Sequence, residues 1–410
     1  MIALSATARL ADTRLSVYGA RVNTAADRPA QTAAATLEFR HVTKRYGTGV
    51  RATTAVDDLS LEIPAGRICV LVGPSGSGKT TTLKMVNRLI EPTSGEILLD
   101  GRDVLREDPV GLRRRIGYVI QQVGLLPHLT VGANVGVVPR LLGWPRQRID
   151  SRTDELLELV GLPVATYRDR YPAQLSGGER QRVGVARALA ADPPLMLMDE
   201  PFGAVDPIVR ERLQNELLRL QQRLAKTILF VTHDIDEAIK MGDLLVVLRQ
   251  GGRLAQFGPP AEILAKPASA FVARFVGADR GLKRLSLGRV GELDLQAPIT
   301  AHAGDDAAEA RARTLADPFP YLLLLDAGER PIGWLDERAI PMTGVLDADL
   351  AQSTSPFLDR QTTLKDALAL LLGADVMAGI VVDEQQRLLG LVTLEQIAAV
   401  LRQPAVATDA

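Results

Sequence analysis

The sequence predicts an α/β fold in two parts, a mostly parallel sheet covered by helices and then a smaller α+β module. Three observations predict it. Short apolar runs alternate with stretches of helical periodicity to about residue 245. A glycine-rich turn, GPSGSGKT, lies between one such run and one such stretch. Beyond Gly281, LLLLDAGERPIGWLD (322–336) and GIVVDEQQRLLGLVT (379–393) superpose without gaps at a spacing of 57 residues.

A chain of 410 residues is too long for one ordinary core, and 46% apolar with 24% charged residues is globular composition. No run of 18 apolar residues occurs, so no membrane span is expected, and the first residues lack an apolar segment of signal-peptide length. The single cysteine, Cys69, excludes an internal disulfide and fits a reducing compartment. Residues 1–36, rich in Ala, Thr and Arg, read as a loosely ordered extension. From Leu37, LEFRHVTKRY and AVDDLSLEIP alternate like strands, and RICVLVG reads as a buried strand carrying Cys69. TTTLKMVNRLI is helical, and EPTSG is a turn. Residues 246–282 read as a short strand, a turn at QGG, and one helix through ILAKPASAFVARFVG.

The first domain therefore spans 37–282 and the module 283–410, with repeats at about 290–345 and 350–403. Each repeat is a helix-like segment (DAAEARARTLA or TLKDALALLLG) followed by strand, polar turn and strand. Neither is large enough to bury a core alone, so the two should pair. The net charge of −1 hides an asymmetry: residues 283–410 carry 11 Lys+Arg against 19 Asp+Glu, leaving +7 for the rest. The basic part suits phosphate or an acidic partner.

The chemistry begins at the glycine-rich turn. Gly73, Pro74, Ser75, Gly76, Ser77, Gly78, Lys79 and Thr80, running on into Thr81, fit the phosphate loop GxxxxGK[ST] between strand and helix. Its glycines let successive amides face phosphate oxygens, and the helix start adds its positive end. Lys79 places a charge on the β- and γ-phosphates, and the Thr80 hydroxyl can ligate Mg²⁺. LMLMDEP ends an apolar strand in two carboxylates. Asp199 suits the metal, and Glu200, one residue on, suits a general base that polarises water. In LSGGERQR, Ser176, Gly177 and Gly178 open a helix and form a second anion-binding helix start.

That last octet resembles the signature sequence of ABC ATPases. The resemblance implies a P-loop NTPase fold with a mixed, mostly parallel sheet and a helical subdomain, and an active ATPase using ATP and Mg²⁺. It also implies a head-to-tail homodimer in which Ser176, Gly177 and Gly178 act on the partner's ATP. Tyr46 in KRYGTG resembles the aromatic that stacks on adenine. Gln121, or its neighbour Gln122, resembles the glutamine that senses Mg²⁺ and the attacking water. Asp206 in FGAVDP resembles the residue that communicates between the two sites, and His233 in FVTHDIDEA the histidine on the γ-phosphate. About 50 residues separate Gln121 from Ser176, without heptads or a Cys cluster. That is too little for the insertions of DNA-maintenance relatives, so no nucleic-acid partner is expected.

GLLPHLTVGANV, FVGADRGLKRLSL and the repeat look like the ATPase subunits of osmoprotectant importers with a C-terminal tandem CBS module. The resemblance implies permease partners, an extracytoplasmic substrate-binding protein as an indirect partner, and a place on the cytoplasmic face of the inner membrane. It implies uptake of glycine betaine or a related quaternary amine. The alternatives are an importer for an amino acid or sulfonate, and a regulatory ATPase without transport. CBS modules that bind adenosine nucleotides offer Gly-x-x-Thr/Ser-x-x-Asp. Here the repeats carry Gly333, Asp336 and Ala339, and Gly390, Thr393 and Gln396, so neither motif is complete.

Overall fold

A computed structural model describes residues 32–48, 52–120, 124–203, 205–317, 319–352 and 356–402. The expected extension lies, up to residue 31, outside the described residues, as do Gln121 and Gln122.

The strands of the first part form two sheets. β1 (Leu37–Tyr46), β2 (Thr53–Ile63), β4 (Ser94–Leu99) and β5 (Arg102–Asp103) make an antiparallel sheet in the order β2-β1-β4-β5. A six-stranded sheet has the order β10-β9-β3-β8-β7-β6, from β3 (Ile68–Val72), β6 (Ile116–Val119), β7 (Leu195–Asp199), β8 (Thr227–Val231), β9 (Leu244–Arg249) and β10 (Arg253–Gly258). All its neighbours run parallel except the β9–β10 hairpin. β3, β7 and β8 are buried at every position, as strands covered on both faces must be. One core forms below this sheet with the helix Gly177–Leu189, and another fills the space between the two sheets and includes Cys69. Burial raises the Cys69 thiol pKa far above its ordinary value.

Two details differ from the sequence reading. The antiparallel sheet is separate from the parallel one, because β1 pairs with β2 on one side and with β4 on the other. The single helix expected through 263–277 is two helices, Pro260–Ala265 and Ala270–Val276. Pro267 cannot donate an amide to a continuing ladder, and the Ser269 hydroxyl accepts from the Val272 amide to start the second helix.

Residues from Ala33 onward form one compact unit that includes the module. Its two three-stranded sheets are β11-β12-β13 (Thr300–His302, Tyr321–Leu325, Pro331–Asp336) and β14-β15-β16 (Phe357–Leu358, Ala378–Val382, Leu388–Thr393). In each, a parallel strand precedes an antiparallel hairpin. The hairpin turns are chemically matched. Asp326 Oδ1 accepts from the Gly328 and Arg330 amides, and Asp383 Oδ1 accepts from those of Gln385 and Arg387. The Arg330 amide is the main reason Asp326 titrates below the usual carboxylate range. A shared core of Leu323, Leu325, Trp334, Ile380, Val382 and Leu391 joins the sheets, with Phe319 and Tyr321 packed around Trp334.

Candidate functional site

The phosphate loop leaves β3 and enters the helix Lys79–Val86. Gly78 caps that helix at φ 82°, and a Cβ there would overlap the Ala55 carbonyl oxygen of β2. The first ladder bond runs from the Thr82 amide to the Gly78 carbonyl, so the amides before it have no partner within the helix. They remain to meet an anion at the positive end of the helix. Ser77 is fully buried. Lys79, only 8% exposed, donates from Nζ to the carbonyls of Gly73 and Pro74 at 2.8 and 3.0 Å. Burial lowers its pKa, while Glu200 and Asp199 act against that shift. Phosphate oxygens, being charged, are better acceptors for this ammonium than the two carbonyls.

Thr80 and Asp199 lie 119 residues apart in sequence, yet the Thr80 hydroxyl donates to Asp199 Oδ1 at 3.0 Å. Burial raises the Asp199 pKa, and the Thr80 hydrogen bond opposes it. Two adjacent oxygens on a buried carboxylate and a hydroxyl form a donor set that suits a hard divalent cation. Glu200 takes φ 44°, a left-handed conformation uncommon for a residue with a side chain, and its amide donates to the Val231 carbonyl at 2.9 Å. That turn aims the carboxylate at His233, with Glu200 Oε1 3.2 Å from His233 Nδ1. His233 is exposed. A small cleft lined by Glu200, Gly203, Arg210, Thr232, His233 and Glu237 surrounds the pair. Asp234, the next residue, caps the helix Ile235–Met241 by accepting from the Asp236 and Glu237 amides.

Tyr46 ends β1, exposed, with Lys44 Nζ 5.1 Å from its ring centroid. It pairs with Thr53, two residues before the Ala55 that touches Gly78, so the strand register carries it toward the phosphate loop.

Ser176 caps the helix Gly177–Leu189 through a reciprocal pair. Its hydroxyl accepts from the Glu179 amide at 3.3 Å, and the Glu179 carboxylate accepts from the Ser176 amide at 2.7 Å. Tyr167 OH donates to the same carboxylate at 2.7 Å, and this bond chiefly holds Glu179 below its ordinary pKa. The Ser-x-x-Glu spacing is a sequence signal for this cap that the motif reading passed over. Ser176 and Gly177 are exposed. Gly178 faces Val209, where a Cβ would come within 3.0 Å of the valine side chain. Val209 lies in the first turn of the helix Pro207–Leu224, and its amide donates to the capping Asp206 carboxylate at 3.0 Å. The structure thus joins the helix starts of Ser176 and Asp206, with Asp206 engaged as a cap.

In the module, Gln396 is engaged internally. Its carbonyl oxygen accepts from the Thr393 amide at 2.9 Å, and its amide group donates to the Asp294 carbonyl at 2.6 Å. Asp336 accepts from the Arg338 amide. Gly333 and Gly390 serve close packing, since a Cβ on either would strike the segment that crosses it, 351–352 or 295–296.

The family model "ABC transporter" matches residues 56–203, and the model "CBS domain" matches residues 348–403. The osmoprotectant import ATP-binding protein OsmV of Salmonella typhimurium is 47% identical over 348 residues, covering 84% of this chain and 90% of that protein. The glycine betaine/carnitine/choline transport ATP-binding protein OpuCA of Bacillus subtilis is 44% identical over 361 residues, covering 87% of this chain and 94% of that protein. Among solved structures, cbiO1 from Clostridium perfringens, part of the ABC transporter complex cbiONQ, matches with a TM-score of 0.51 at 27% identity. That match covers 57% of this chain and 91% of the other.

Proposed function

This chain belongs to the family of ABC-transporter ATP-binding proteins of osmoprotectant import, and from that premise we propose how its residues divide the work. Two copies pair head to tail around two ATP molecules, and hydrolysis drives uptake of a quaternary amine such as glycine betaine through separate permease subunits. The chain sits at the cytoplasmic face of the membrane, held there by the permease, and a substrate-binding protein on the far side presents the solute. No described helix is long and apolar enough to cross a membrane, and docking to a permease supplies that part.

The adenine stacks on Tyr46, and the phosphates take the amides from Gly76 to Thr81 and the Lys79 ammonium. Thr80 and Asp199 hold Mg²⁺, which neutralises phosphate charge, with Gln121 a further ligand outside the described residues. Glu200 accepts the proton of the attacking water. His233 holds that carboxylate in register and contacts the γ-phosphate. The partner copy's Ser176, Gly177 and Gly178 close over the same phosphate, and its Asp206 helix moves with them. Residues 283–410 form a tandem CBS pair whose nucleotide-type groups are already engaged internally.

The Glu200–His233 contact of 3.2 Å carries this reading, because it joins a base and its positioning group beside the Lys79 loop. The test is uptake of labelled glycine betaine at high salt by cells that depend on this chain and its permease. Wild-type chain supports uptake, and Glu200→Gln lowers both uptake and ATP turnover by at least about 100-fold. ATP turnover without uptake of any quaternary amine would discard the substrate assignment.

A further inference from the structure

The segment joining the two parts is a short helix, Arg280–Leu285, entered through Gly277 at φ 96°. Two cores share it. Leu285 is fully buried with Leu364, Leu371 and Ile397 in the core of the second repeat. Leu287, two residues on, packs against the core beneath the six-stranded sheet.

Two residues before Leu285 stands a charge. Lys283 exposes only 11% of its side chain, and its ammonium lies 3.2 Å from Asp236 and 3.5 Å from Asp279. Lysine is rarely buried unless paired, and a helix needed only to fill space would carry an apolar residue here. Asp236 belongs to the first turn of the helix Ile235–Met241, and its amide donates to Asp234 at 2.9 Å. Asp234 directly follows His233. Arg210, 4.0 Å from Asp234, is a second and longer anchor on the same turn.

We propose that Lys283 is a positioning residue for hydrolysis: through Asp236 it fixes the turn that holds His233 against Glu200. Because Lys283 rides on the helix that Leu285 seats in the module, ATP turnover then depends on how the module is docked. Lys283 touches no reacting atom. The proposal rests on the ATPase reading above.

The experiment measures ATP turnover by the full-length chain. Glu200→Gln serves as the control that the signal comes from this site, and an inactive wild type would count against the ATPase reading alone. Lys283→Met is expected to lower kcat about tenfold while KM for ATP stays within about twofold, since the Lys79 loop is untouched. Asp236→Asn should behave alike, Lys283→Arg should retain most activity, and the exchange Lys283→Asp with Asp236→Lys should recover much of kcat. Wild-type kcat in Lys283→Met would overturn the proposal. So would a fall in kcat and melting temperature together that neither Lys283→Arg nor the charge exchange relieves, which would mark a structural role only.

Discussion

At the scale of single residues, the phosphate loop separates two costs that a glycine can hide. Gly76 and Gly78 both have positive φ, 78° and 82°, but a Cβ at Gly76 meets nothing within 4 Å, whereas one at Gly78 overlaps the Ala55 carbonyl. Gly76→Ala should therefore cost only the left-handed backbone penalty, roughly 1–2 kcal/mol. Gly78→Ala should cost clearly more, because β2 must also move away from the loop. Denaturant midpoints of the two variants check this, and equal destabilisation would contradict it. Glu200 shows the complementary case, a residue with a side chain accepting φ 44° so that its carboxylate reaches His233. Glu200 was a candidate from its place beside Asp199 at a strand end, and His233 from the resemblance of FVTHDIDEA to the ABC ATPase pattern. Their contact depended on β7 and β8 being adjacent and parallel, which no local pattern fixes.

At the scale of elements, the helix Gly177–Leu189 begins at a reciprocal cap, and the same start is the surface proposed to meet the partner's phosphate. Its cap depends on Glu179 being ionised, and Tyr167 is the largest cause of the lowered Glu179 pKa. A carboxylate depressed by folding contributes stability that is complete above its unfolded pKa and is lost as pH falls through the folded value. Tyr167→Phe keeps the ring beneath Arg170, 4.8 Å from its centroid, but removes the donor. Without that donor the Glu179 pKa rises toward its unfolded value, so Tyr167→Phe should be less stable than wild type near neutrality, and the difference should shrink as pH falls through the range where Glu179 is protonated. Melting temperature as a function of pH reads this directly, and equal melting temperatures near neutrality would refute it. The Ser176 hydroxyl and this glutamate were legible as a Ser-x-x-Glu pattern. The Tyr167 donor was not, since it comes from a separate short helix, Val164–Tyr167. The break near Pro267 was written in the sequence, but apolar periodicity on both sides masked it.

For the whole molecule, the 57-residue repeat marked out two matching hairpins, and the structure adds how they interlock. The segment that opens each repeat pairs with the other repeat's last strand, Gln296 with Leu391 and Gln352 with Trp334. Gly390 and Gly333 admit these crossings. The match is incomplete where Leu388 donates its amide to the Glu329 carbonyl, because the corresponding Pro331 has no amide to offer. Periodicity shows elements that recur, whereas crossings and the Lys283–Asp236 link join residues distant in sequence with no pattern between them. The proposed head-to-tail pairing makes the same demand across two chains, with Lys79 in one copy and Ser176 in the other meeting one ATP.

A mixed pair measures this most directly, with Lys79→Met in one copy and Ser176→Asp in the other, both carrying Glu200→Gln to halt turnover. Aspartate keeps the helix cap while opposing a phosphate, so folding is preserved. If the site is shared between copies, both lesions fall in one pocket, and the pair should retain one tightly bound ATP. Binding lost from both pockets would show that each copy uses its own Ser176, and would contradict the shared site.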